Sequence, residues 1–128
     1  MTTFQIDDPI FKTTPLFVMA CSFDAFARYM RTHFKIHDVG LNVQQAGQMF
    51  TFGGSLRVVW VQHRPDTARR LGVLLHEIFH LVTRICQDKG IPIKAQIEEG
   101  PGDETAAYLF DFFAREAFRR SRVRLVAR

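Results

Sequence analysis

Five consecutive residues, His76-Glu77-Ile78-Phe79-His80, bring together side chains that can hold a metal ion and one that can move a proton. On an α-helix, residues four apart stand one turn above each other on the same face, so His76 and His80 can aim both imidazoles at one divalent ion. Glu77 follows His76 by about 100° around the helix. There it can reach a water at the metal without occupying a ligand position. Two neutral imidazoles and one carboxylate leave a fourth tetrahedral position open, a set that suits zinc better than calcium or magnesium. In a chain with five His and five Glu, the pattern arises by chance with a probability of about one per cent. The ordinary alternative is a core helix with two incidental histidines. It would bury two imidazoles and a carboxylate without a partner, which is costly.

The third ligand has to come from outside this stretch, and Glu98, Glu99, Asp103 and Glu104 are the candidates. Asp103 reads as the N-cap of a second helical pattern whose apolar part is Leu109, Phe110, Phe112, Phe113 and Phe118, with Glu104 in its first turn. The positive end of the helix dipole keeps a first-turn carboxylate ionised, which suits metal ligation. Glu104 is therefore the favoured ligand, with Asp103 and Glu99 in reserve. An ordinary first-turn acid would look the same. Tyr108, one turn beyond Glu104, could direct its hydroxyl at a developing oxyanion, and a buried structural tyrosine fits that position equally well. Asp111 could orient a ligand histidine, or could simply face solvent. His63 could approach the pocket, although a turn histidine is ordinarily solvated.

These side chains need a scaffold, and the sequence supplies its parts. Leu71–Asp88 carries Leu71, Leu74, Leu75, Ile78, Val82 and Ile85 at helical spacing, with Gly72, His76, His80 and Thr83 on another face. Asp66 or Thr67 can cap it, and Gly90 and Pro92 stop it. Leu16–Cys21 reads as a buried strand, and Ser22 caps a helix over Phe23–Phe34. Met49–Phe52 and Leu56–Gln62 form a β-hairpin around Gly53-Gly54. The connector Gln87–Gly102, rich in Gly and Pro, is expected to cross the surface beside the cleft. Residues 1–14 form a lead-in without an assigned element.

His76, Glu77 and His80, followed by Glu104-Thr105-Ala106-Ala107-Tyr108, resemble the gluzincin side of the zincin metallopeptidases. Val73–Glu116 is most similar to short zincin-like proteins of bacteriophages and prophages, and the likeness fades over residues 1–55. The resemblance implies one α+β domain over 1–128: a minimal zincin-like fold, its small, mostly antiparallel sheet packed on the HExxH helix and a C-terminal helix. It implies Zn2+ on His76, His80 and Glu104, Glu77 as general base, and Tyr108 as a catalytic hydroxyl in a hydrolase of peptide bonds. It also implies an edge position for the strand before the active helix, so that Leu56–Gln62 could align a peptide substrate. An ordinary interior strand packed on that helix is the competing expectation. A phage particle or assembly complex could alternatively use the same fold without catalysis, and phage structural proteins would then be its partners.

Composition narrows the remaining classes. At 128 residues, 47% hydrophobic and 23% charged, the chain suits a soluble domain with a real core, and thirteen Phe make that core aromatic. Cys21 and Cys86 form no CxxC pair, which points to reduced thiols and a cytoplasmic setting, in a bacterial host or within a virion. Asp7 and Asp8 replace the basic start of an export signal, and no apolar run is long enough for a membrane span. The net charge is +4, and Arg119, Arg120, Arg122, Arg124 and Arg128 form a basic tail over 119–128. A nucleic-acid-associated module is the third functional class. The absence of aromatic–basic interleaving favours a solvated tail instead.

Overall fold

Two apolar runs, Leu16–Met19 and Val58–Val61, lie side by side in register at the centre of a four-stranded sheet, Leu16 opposite Val58 and Met19 opposite Val61. Both are parallel and buried on both faces, which explains why neither alternates with polar residues. The computed structural model describes residues 1–40, 45–91 and 101–123. Its elements run β1 (Thr2–Gln5), β2 (Leu16–Met19), α1 (Phe23–Phe34), β3 (Gly47–Phe52), β4 (Leu56–Val61), α2 (Ala68–Asp88) and α3 (Pro101–Arg120). The sheet order is β1-β2-β4-β3; β1 pairs antiparallel with β2, and β3 antiparallel with β4. This is the α+β class expected from the sequence, with a sheet that is mixed through its central pair.

The sheet separates two cores. On one face α1 packs Phe26 and Met30 against Leu16, Val18, Val58 and Trp60. Phe23, Phe26, Phe50 and Trp60 stack or meet edge to face there, and the Trp60 indole N–H donates to the Cys21 carbonyl at 3.1 Å. On the other face Leu74, Ile78, Leu81 and Ile85 of α2, with Leu109, Phe113 and Ala117 of α3, cover Phe17, Met19, Val59 and Val61. Each large side chain so buried stabilises the fold by about 1.5–3 kcal/mol. Cys21 packs with the first core and Cys86 with the second, so the sheet stands between the two free thiols.

Local signals set the boundaries. Ser22 caps α1 by accepting the Ala25 N–H at 3.1 Å. Gly53 and Gly54 take φ of 50° and 79° in the hairpin turn, where a side chain would be strained. The hairpin begins at Gly47, two residues before its expected start. The lead-in also holds a strand: Thr2–Gln5 pairs with Leu16–Met19, and a turn nucleated by Asp8 connects them. Asp8 is buried yet satisfied, accepting from Ile10 N–H, Phe11 N–H and the Thr13 hydroxyl. The third helix starts at Pro101, a residue pre-set for a first helical position, so Asp103 lies inside the helix and does not cap it. It ends at Arg120, which makes the first two basic-tail arginines helical; Arg124 and Arg128 lie outside the described residues.

One expectation is overturned. Strand Leu56–Gln62 is not an edge: β4 is hydrogen-bonded to β2 on one side and β3 on the other, so a peptide cannot add to it. The chain passes from β2 through α1 to β3 before returning to β4, and that return fills the slot beside β2. Among the described residues, the free edge next to α2 belongs to β3.

Candidate metal centre

The face of α2 that carries the histidines is the face it does not bury. Thr67 caps the helix by accepting the Arg70 N–H at 3.2 Å, and Leu74, Ile78, Leu81, Val82 and Ile85 turn inward. His76, His80, Thr83 and Gln87, three or four residues apart, are left along the floor of a cleft of about 870 Å³. Gln45, Gly47, Gln48 and Met49 form its opposite wall, in and just before the edge strand.

The two imidazoles converge. Their Nε2 atoms are 3.1 Å apart and their rings meet nearly edge to face, with centroids separated by 4.7 Å. Two nitrogens bonded to one tetrahedral zinc at about 2.05 Å stand about 3.3 Å apart. The spacing therefore fits a shared ion, and both rings are open to the cleft. Glu77 lies below, 7% exposed, with one carboxylate oxygen 4.0 Å from His76 Nε2. Burial pushes its carboxyl above the ordinary glutamate range, while charge on His76 and His80 and a hydrogen bond from the Met49 backbone N–H pull it down. A carboxylate held in this way is raised toward the working range of a general base.

The strand wall is set by register. Gln62 N–H donates to Ala46 C=O at 2.8 Å, so the alternating antiparallel ladder turns the backbone groups of Gly47, Met49 and Thr51 toward the free edge. This explains how Glu77, on a helix, reaches the Met49 N–H. Gly47 allows the close approach: a Cβ there would stand 3.0 Å from both the Trp60 carbonyl and a Val73 methyl.

Four other expected site residues fall elsewhere. Glu104 is exposed in the first turn of α3. Among the described residues no three His, Cys, Asp or Glu side chains assemble as an ion-holding group, so Glu104 does not join the histidine pair in this arrangement. Glu98, Glu99 and the Asp103 side chain lie outside the described residues. Tyr108 is 48% exposed and stacks on Phe112 at 6.4 Å, on α3, and does not line the cleft among the described residues. Asp111 pairs with Arg115 at 2.9 Å on the same helix. His63 lines a smaller adjoining cavity with Arg69 and Val73.

Sequence reasoning missed Arg69 and Arg84, which stand toward opposite ends of the cleft. Their signal was present, since Arg69, Gly72, His76, His80, Arg84 and Gln87 follow one helical stripe. The strand wall had no comparable signal, because only the sheet order reveals which strand is the edge. Compared with known proteins, the chain matches no family model, no curated protein and no solved structure.

Proposed function

We propose that the protein is a zinc-dependent hydrolase of peptide bonds, with His76 and His80 as ligands and Glu77 as general base. The observation that carries this reading is the 3.1 Å convergence of two accessible imidazole nitrogens directly above a buried carboxyl, at the side of a free strand edge. A carboxylate from Glu98, Glu99, Asp103 or Glu104 would complete the ligand set; Glu104, the one whose side chain is described, stands apart from the pair and would have to move to the ion. Zinc, when bound, supplies a Lewis acid that acidifies water and polarises a carbonyl. Glu77 takes the proton from the attacking water and returns it to the leaving amine nitrogen. The Met49 N–H fixes the orientation of that carboxyl. The outward backbone groups of Gly47 and Thr51 can hydrogen-bond an extended peptide beside the histidines, a role first expected of Leu56–Gln62. Tyr108 has no part in this scheme, because its ring lies against Phe112.

Phage or prophage origin and a gluzincin-type lineage remain part of the proposal on the strength of the sequence resemblance alone. The test has two stages. Metal content by mass spectrometry should give one zinc per chain for the wild type and none for His76→Ala. Zinc-loaded wild type should then cleave members of a mixed peptide library that Glu77→Gln leaves intact. If both proteins retain zinc and neither cleaves, the ion serves the fold, as in a particle or assembly component. If neither takes up zinc, the reading fails at its first step.

A further inference from the structure

Away from the histidine cleft, the structure gathers arginines that are far apart in sequence. Arg64, in the loop between β4 and α2, faces the same cavity of about 850 Å³ as Arg119, Arg120 and Arg122 at the end of α3. The exposed edge strand β1 forms the cavity's other wall. Among the described residues these four guanidiniums share one carboxylate: Glu116 pairs with Arg119 at 2.7 Å and with Arg120 at 3.6 Å. Arg64 donates to the Thr2 hydroxyl at 3.1 Å, and among the described residues neither it nor Arg122 has an acidic partner. Four positive groups around one negative group leave a local surplus of three charges in a concave site, where low-dielectric walls focus the field. Like charges held this close repel one another, and a bound polyanion relieves that repulsion.

We propose that this arginine cleft binds the phosphodiester backbone of a nucleic acid. Two candidates differ in chemistry, a phosphodiester chain and an acidic peptide that adds a strand to β1. The strand edge decides between them. Ile6 N–H donates to the Pro15 carbonyl at 3.2 Å, so by alternation the backbone groups of Thr3 and Gln5 face outward. The Gln5 carbonyl is already taken by the Arg120 guanidinium at 2.8 Å. An added strand would find a four-residue edge with half of its outward acceptors blocked, a poor template. Guanidinium forks match phosphate oxygens without any strand pairing. Phe4, the aromatic ring in the cleft wall, is committed to stacking on Phe17 at 5.3 Å and is not free for a base. Recognition therefore rests on the backbone and is indifferent to sequence. The C-terminal arginines alone offered a nucleic-acid module only as a third class beside a solvated tail; what the sequence could not supply is Arg64, which joins them from 55 or more positions away.

The experiment is fluorescence anisotropy with a labelled oligothymidylate, a labelled random duplex and a labelled RNA of equal length, over a salt series. Binding should weaken linearly in log–log form with salt. Replacing Arg64 and Arg122 together by Gln should lower the slope by about 1.4 for single strands or about 1.8 for duplex, and weaken binding tenfold or more at low salt. The control Arg28→Gln/Arg31→Gln removes the same charge from exposed positions on α1 and should leave the affinity within about twofold. Thermal melts of both variants verify folding. Equal losses in the two variants would reduce the effect to net charge and overturn the site. No binding at low salt would overturn it too, as would displacement of the oligonucleotide by polyglutamate at equal charge concentration. The three probes show which nucleic acid is preferred, and zinc content is irrelevant to every arm.

Discussion

Glu77 is the residue on which burial and chemistry conflict. Its carboxyl lies above the ordinary range because burial disfavours the charge, so the folded chain binds that proton more tightly than the unfolded chain does. Its favourable contribution is complete below the unfolded carboxyl value and is lost as pH rises through the folded one. In chelator-treated protein, the melting temperature of the wild type should therefore fall relative to Glu77→Gln across that window, since the amide has no charge to bury. Parallel melting curves from acid to neutral pH would show that the carboxyl is not held in this way. Glu104 makes a different prediction. It stands apart from the histidine pair here, so it serves as third ligand only by moving to the ion when zinc binds; in that case its replacement by Ala should lower zinc affinity at least tenfold, read by competition with a calibrated chelator, and an unchanged affinity would remove it from the ligand set. Glu116→Gln, further along the same helix and paired with Arg119, should leave zinc affinity unchanged.

Helix α2 is positioned by few devices beyond its apolar stripe. At its C-terminal end Asp88 pairs with Arg57 of β4 and, at 3.4 Å, with Arg84. Arg57 is only 9% exposed, and burial lowers its pKa, with Arg84 adding to the effect. Removing Asp88 leaves that guanidinium without a carboxylate, held by the Ser55 carbonyl at 3.0 Å, so Asp88→Asn should cost about 1–3 kcal/mol in urea unfolding, the partial exposure of Asp88 keeping it below the range for a fully buried pair. At the strand wall Gly47→Ala should cost a similar amount, about 1–3 kcal/mol, because the new methyl meets the Trp60 carbonyl and the Val73 side chain. Much of this level was legible in the sequence. Phe23–Phe34 with its Ser22 cap, the Gly53-Gly54 turn and the HExxH helix depend on local periodicity and local capping. What was not legible depends on pairing at a distance: β1 is a strand only because β2 offers it an edge, β4 is interior only because β3 folds back over it, and Arg64 shares a cavity with Arg122 only once the end of α3 is docked beside β1. The ligand question was half legible for the same reason, since four-residue spacing fixes two imidazoles and says nothing of a carboxylate on another helix.

At the scale of the whole molecule, the candidate centre joins few elements, and that limits where its energy goes. His76 and His80 sit on one helix, and no described residue from another element joins them as a ligand. The apolar core that α2 shares with the sheet and α3 already holds the helix in place without the ion. The metal-free chain should therefore be folded and cooperative, unlike small domains that collapse only around zinc. Zinc should still add stability by mass action, about 2.7 kcal/mol when free zinc stands at a hundred times its Kd. For a chain of this length that corresponds to a rise in Tm on the order of 10 °C. His80→Ala should show no rise at the same zinc concentration, whereas Glu77→Gln should show nearly all of it, because Glu77 is assigned to the proton and not to the ion. Magnesium at equal concentration should have no effect, since a pair of imidazoles is a poor site for a hard cation that prefers oxygen. A rise that survives His80→Ala, or one that magnesium reproduces, would place the stabilising ion somewhere other than this helix. The histidine pair would then be two solvated side chains that happen to lie one turn apart.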